Sequence, residues 1–163
     1  MGTLAYRQLE AADAEQVRAV ALAAWRWTYR DIFDAAFIEH FIQTNYAPDL
    51  LRQTLSAIEQ GQHFFEVVLD DERIVGFCHM GLLAHGARLF RIYLAPAYIG
   101  RGIGGQLLTH AEAWLHAKGV HEYECFVHAA NAIGKRFYAQ RGFTHQPEHD
   151  HDDEWYMHKQ LVP

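Results

Sequence analysis

The sequence predicts a single-domain α/β protein of the α+β type, a mixed and mostly antiparallel sheet flanked by helices. Three observations carry this reading. The order of patterns is one strand, three helical stretches, three strand runs, then strand–helix alternation to the end. A chain of 163 residues suits one hydrophobic core, and no repeat, low-complexity linker or composition shift divides residues 1–163. The second half does not repeat the first, which argues against a doubly wound dinucleotide fold.

Leu4 to Leu9 reads as a short first strand. The stretch AADAEQVRAVALAAWRWTYRDIF carries Val17, Val20 and Ala24 at helical spacing, with Asp13 placed to cap its start. A second helix is expected over Ala35 to Thr44, and a third from Pro48, suited to a first helical turn, to Gly61. The period then changes. HFFEVVLDDERIVGFCHMGLL is two β-rich runs around the turn formers Asp70, Asp71 and Glu72, a hairpin. RLFRIYLA is a strand ended by Pro96. Ile103, Leu107, Leu108, Ala111 and Leu115 then form one face of a helix closed by Gly119. EYECFV is a strand, NAIGKRFYAQ a short helix ended at Gly142, and EWYMHKQL a final strand.

Net charge is −6, from 14 basic and 20 acidic residues, which argues against nucleic-acid binding and is compatible with a cationic substrate. No apolar run approaches the ~20 residues of a membrane span, and the N-terminus lacks the basic-then-apolar layout of a signal peptide. A cytoplasmic location is the expectation. Cys78 and Cys125 lie in apolar strand runs and read as buried free thiols.

Residues 98–105, YIGRGIGG, hold the chemistry. Gly100, Gly102 and Gly105 match G-x-G-x-x-G between a strand and a helix. The first N–H groups of a helix lack internal partners, and its dipole makes that end positive. Glycines let a diphosphate reach those N–H groups, and Arg101 adds a cationic donor. Nicotinamide dinucleotides fit poorly. The loop sits two-thirds along the chain, and the next strand ends in His128 where a ribose-binding acid belongs. No G-K-[ST] follows, so a triphosphate P-loop is excluded.

LAPAYIGRGIGGQLL, followed some thirty residues later by NAIGKRFYAQRGF, resembles the GNAT superfamily of acetyl-CoA-dependent N-acetyltransferases. The resemblance covers the second half of the chain, and the first half fits the family's strand–helix–helix–hairpin layout. It implies a GNAT-like fold and acetyl-CoA as co-substrate, with the pyrophosphate held by Arg101, Gly102, Ile103, Gly104 and Gly105. Backbone at Ile92, Tyr93 and Leu94 would pair with the pantetheine amides, which Asn131 would also contact. Gly134 would leave room for that arm, and Lys135 and Arg136 would reach cofactor phosphates. Where the family has Arg or Gln, this chain has Ile99, a lost charge-assisted hydrogen bond worth roughly 1.5–3 kcal/mol.

Asn131 and Tyr138, seven residues apart, share a helical face, with Ile133 and Phe137 on a neighbouring apolar stripe expected on the sheet. By the resemblance Tyr138 is the general acid that protonates the leaving thiolate, a task suited to a phenol with a pKa near 10. The ammonium acceptor must lose a proton before attack, and Glu124, His128 and His79 are candidate bases. The aromatic cluster Trp25, Trp27, Tyr29 and Phe33 reads mostly as core with some acceptor-pocket lining. Its layout with NYAPDLL is loosely similar to bacterial polyamine N-acetyltransferases, which points to a small amine acceptor. HQPEHDHDDEW, with His145, His149, His151, Asp150, Asp152 and Asp153, reads as a solvated acidic loop in preference to a metal site. A non-catalytic acetyl-CoA-sensing module and a protein N-terminus or lysine acetyltransferase stay open as alternatives. A homodimer through exposed strands is the expected assembly.

Overall fold

The computed structural model describes residues 2–163. Strands β1 (Leu4–Gln8), β2 (His63–Asp70), β3 (Arg73–Leu82), β4 (Ala87–Leu94), β5 (Glu122–His128), β6 (Thr144–His145) and β7 (Glu154–Gln160) form one sheet. Its order is β1-β2-β3-β4-β5-β7-β6, antiparallel throughout except between β4 and β5. Helices α1 (Ala14–Thr28), α2 (Ala35–Asn45) and α3 (Pro48–Glu59) precede the hairpin, while α4 (Ile103–Ala117) and α5 (Ala132–Gln140) alternate with the later strands. β6, two residues long, lies in the stretch read as loop. It is too short for an alternating pattern to show, and exists because Thr144 and His145 pair with His158 and Met157.

Each face of the sheet has its own core. Val17, Val20, Ala21 and Trp25 of α1 pack with Ile38 and Ile42 of α2 against Phe65, Val67 and Phe77. On the other face Ile103, Leu107, Leu108, Ala111 and Leu115 are buried as the helical spacing predicts, against Val68, Val75, Met80 and Tyr123. Each full Leu or Ile burial contributes about 1.5–3 kcal/mol, so these two stripes hold the helices to the sheet.

Two local expectations change. Asp13 makes no side-chain cap to α1. Its carboxylate instead accepts from Arg7 at 2.7 and 2.9 Å and from the Glu10 N–H at 2.8 Å, in a 3₁₀ turn that leads into the helix. Ile133 does not pack on the sheet and is 49% exposed, because α5 turns its Tyr138 face inward.

The register of β4 positions the site. Met80 pairs with Leu89 and His79 with Arg91, so Phe90 is an extra residue, a bulge that bends and twists the strand. β4 then meets β5 at only Ala87↔Tyr123 and Arg88↔Glu124. Beyond Arg88 the two strands part, and the β4 backbone edge facing β5 is left without strand partners.

Candidate active site

The glycine turn sits at the end of this opening. Gly100 and Gly102 have φ of 82° and 81°, and nothing lies within 4 Å of a Cβ added at either. Conformation, not space, demands glycine there. Gly102 is the residue before the first turn of α4, so the unpaired N–H groups of that turn face outward from Ile103 on. Gly104 and Gly105 serve closeness instead. A Cβ at Gly104 would stand 2.9 Å from the Phe137 ring, and one at Gly105 would stand 2.8 Å from the Arg141 guanidinium. Arg141 is held over Phe137 at 3.9 Å and donates to the Phe137 carbonyl at 3.2 Å. It is the cation that α5 brings to this helix start. Lys135, expected there, lies over the Trp155 ring at 4.2 Å and does not line the cleft. Arg136 is exposed, and Arg101 lies over Tyr98 at 4.9 Å. Residue spacing alone does not separate Arg141 from its neighbours, because helix direction decides which cation returns to the loop.

The cleft between the parted strands is lined by Ile92, Tyr93, Leu94, Ile99, Gly104, Asn131, Gly134 and Tyr138, bringing most of the expected residues together. Ile99 adds to its apolar wall. Asn131 caps α5, its Oδ1 accepting from the Gly134 N–H at 2.9 Å. Gly134 is small for a different reason than expected: a Cβ there would meet Asn131 at 2.6 Å and Val127 at 3.0 Å. Tyr138 has no hydrogen-bond partner for its hydroxyl among the described residues, and it lines the cleft. Burial pushes this phenol well above its ordinary range, and nearby Cys125, Tyr93, Cys78 and Tyr29 add to the rise. It therefore stays protonated at neutral pH and is a weaker acid than the unperturbed phenol expected from sequence.

A second pocket joins the cleft through Tyr29, Leu89, Phe90, Tyr93 and Phe126. Its aromatic walls include Trp25, Phe33, Phe37 and Phe41 from α1 and α2 and the turn between them. Trp25 donates its Nε1–H to the Tyr93 hydroxyl at 2.9 Å. Three of the four clustered aromatics thus both pack and line this pocket, while Trp27 borders the cleft. At the outer side stand Asp152, Asp153 and Glu154, with His128 between them and the aromatics. Asp152 and Asp153 belong to the stretch that reads as a solvated acidic loop and Glu154 to the final strand; the antiparallel pairing His128↔Glu154 is what brings them to the pocket.

The candidate bases fare unequally. Glu124 faces Arg88, which donates to it at 2.7 Å, and lines neither cleft nor pocket. His128 lines the pocket, but its Nδ1 accepts from the Ala130 N–H at 3.1 Å, which puts the neutral ring's proton on Nε2. His79 is closed in by Phe65 and Phe90, with His63 Nδ1 2.9 Å from its Nε2. Burial first, then Arg91 and His63, holds it well below the usual histidine range. Cys78 and Cys125 are buried free thiols whose pKa burial raises, so they are inert as expected. The histidine-rich segment is partly built in: His145 stacks on Trp155 at 3.8 Å and meets Asp150 at 2.9 Å, and Asp150 accepts from the Tyr156 N–H. Among the described residues no group of three or more His, Cys, Asp or Glu is arranged to hold a metal, and no helix is long and apolar enough to cross a membrane.

The half-open sheet thus joins, in one gap, an aromatic pocket, an unpaired strand edge and a glycine-lined helix start suited to an anion. The chain belongs to the Acetyltransferase (GNAT) family, whose model matches residues 14–143. It is 33% identical over 138 residues to the spermidine N(1)-acetyltransferase of Thermoplasma acidophilum, covering 84% of this chain and 86% of that one. The crystal structure of PaiA N-acetyltransferase from Thermoplasma acidophilum in complex with coenzyme A matches with a TM-score of 0.93 at 29% identity, over 98% of this chain and 99% of that one. A GNAT-family acetyltransferase from Staphylococcus aureus shares the fold at 14% identity, with a TM-score of 0.78 over 98% of this chain and 100% of the other. The protein is an acetyl-CoA-dependent N-acetyltransferase that transfers acetyl to an amine.

Proposed function

We propose that the acceptor is a polyamine of the spermidine class, acetylated on a primary amine. The carrying observation is the pairing of apolar and acidic surface. An aromatic pocket opens onto the cleft, and Asp152, Asp153 and Glu154 stand on its outer side. Methylene segments suit the rings, and the distal ammonium groups suit the carboxylates. Arg88, the arginine in this pocket, is already neutralised by Glu124. The relative named as a spermidine N(1)-acetyltransferase supports the same class.

The residues divide the reaction among them. The N–H groups from Arg101 to Gly105, with Arg141 beside them, hold the pyrophosphate. Ile92 to Leu94 offer the free β4 edge to the pantetheine amides and fix the thioester. The neutral amine attacks the acetyl carbonyl carbon, the carbon–sulfur bond breaks, the Tyr138 hydroxyl gives its proton to the leaving thiolate, and the proton shed by the attacking nitrogen as the amide forms restores the phenol. Burial raises the Tyr138 phenol, which keeps its proton in place until the thiolate forms beside it. With Glu124 tied to Arg88 and His79 closed off, the ammonium proton leaves through water at the Glu154 side.

The test is thiol release from acetyl-CoA across spermidine, spermine, free amino acids, aminoglycosides and short peptides. Selective turnover of the polyamines, weakened when Glu154→Gln and Asp153→Asn are combined, is expected. Turnover confined to peptides, amino acids or aminoglycosides refutes the acceptor class, and so does absence of turnover with the polyamines.

A further inference from the structure

Two phenols, Tyr29 at the end of α1 and Tyr93 on β4, each line both the cleft and the aromatic pocket. The Tyr93 hydroxyl accepts from the Trp25 Nε1–H at 2.9 Å, and an indole nitrogen can only donate. The Tyr29 hydroxyl accepts from Asn131 Nδ2 at 3.5 Å. The Asn131 amide has its orientation set by Oδ1, which accepts from the Gly134 N–H at 2.9 Å, so the nitrogen facing Tyr29 likewise only donates. Each phenol oxygen is thus held as an acceptor while its own hydrogen stays uncommitted. Neither hydrogen has an acceptor among the described residues. Burial raises both phenols, so both keep that hydrogen at neutral pH.

The reacting groups offer few matches for such donors. The amine brings N–H donors and needs its lone pair for attack, and sulfur is a weak acceptor. The acetyl carbonyl oxygen is a strong acceptor and gains negative charge as the reaction proceeds. We propose that the Tyr29 and Tyr93 hydroxyls donate to this oxygen and stabilise the oxyanion formed during transfer. As the amine nitrogen bonds to the carbonyl carbon, the C=O π pair moves onto the oxygen. It returns as the carbon–sulfur bond breaks, and both phenol hydrogens stay on their tyrosines throughout. Trp25 and Asn131, by donating into the phenol oxygens, make each O–H a stronger donor. The assignment rests on the thioester lying at the β4 edge, as set out above, and not on the class of the acceptor.

Difference infrared spectroscopy of bound acetyl-CoA with an isotopically labelled carbonyl tests this with no amine present. The carbonyl band should lie at lower wavenumber in the parent than in Tyr29→Phe or Tyr93→Phe, and highest in the double variant. With the best amine of the panel above, each single variant should lose about 10²-fold or more in turnover at saturation, with acetyl-CoA affinity little changed. Each variant leaves one donor without its acceptor, so the thermal midpoint is measured alongside to confirm a folded chain. If one variant fails to fold, the other decides. A band at the same position in the parent and the folded variants overturns the proposal, whichever amine is turned over. A kinetic loss confined to the KM for the amine also overturns it, since the two rings would then be pocket walls only. A band that moves while the panel selects an amine other than a polyamine upholds it.

Discussion

Tyr138→Phe isolates a single oxygen, and the structure says what that oxygen is worth to the fold. Tyr138 lines the cleft and its hydroxyl has no partner among the described residues, so removing it orphans no donor or acceptor. The ring contacts to Phe137 and Phe143, at 5.3 and 5.1 Å, are kept. Stability should therefore stay within about 1 kcal/mol of the parent, on the stabilising side if anything. Affinity for acetyl-CoA should also hold, because the phosphate end and the β4 backbone are untouched. Turnover should not. A positioned general acid contributes about 10²- to 10⁴-fold, or ~2.7–5.5 kcal/mol of barrier. The assay is steady-state thiol release at saturating amine, with acetyl-CoA affinity by calorimetry and the thermal midpoint measured on the same preparation. Parent-like turnover would refute the acid role. A large loss of stability would refute the account of an unpartnered hydroxyl.

Three further outcomes follow from the same geometry. Gly102→Ala meets no atom within 4 Å but must hold φ near 81°, so it should cost about 1–2 kcal/mol and, at roughly 2–4 °C per kcal/mol, lower the thermal midpoint by several degrees while weakening coenzyme A binding. Arg141→Ala removes the cation at the start of α4 and should weaken coenzyme A about tenfold, with a shallower salt dependence; unchanged affinity would return Arg141 to a packing role. His79 and His63 are both held below the ordinary histidine range, chiefly by burial. The unfolded chain then binds more protons below pH ~6.5, so stability should fall as pH drops from there toward the folded values, by up to roughly 1.4 kcal/mol per pH unit for each histidine. Urea unfolding between pH 7 and 5 should show that limb, and His79→Phe should flatten it.

What the chain alone determines is local. The Ile103–Leu115 stripe, the hairpin around Asp71 and the glycine turn before a helix were all legible, because periodicity and positive-φ demands are written in neighbouring residues. The two linked motifs likewise named the cofactor. Other features depended on which strands become neighbours. The Phe90 bulge parts β4 from β5 and opens the cleft, and nothing in RLFRIYLA announces it. Arg141 reaches the glycine loop while Lys135 turns to Trp155, a choice made by how α5 crosses α4. Glu124 lies beside the cleft in sequence terms yet is held by Arg88, and Glu154 reaches the pocket only through its register with His128. Helix and strand periods follow from contacts a few residues apart, whereas the partner of a charge is chosen by strand order and register across the whole sheet. That is why the fold and the co-substrate could be read from the chain, while where Arg141, the acidic side chains and each candidate base lie was decided only by the tertiary structure.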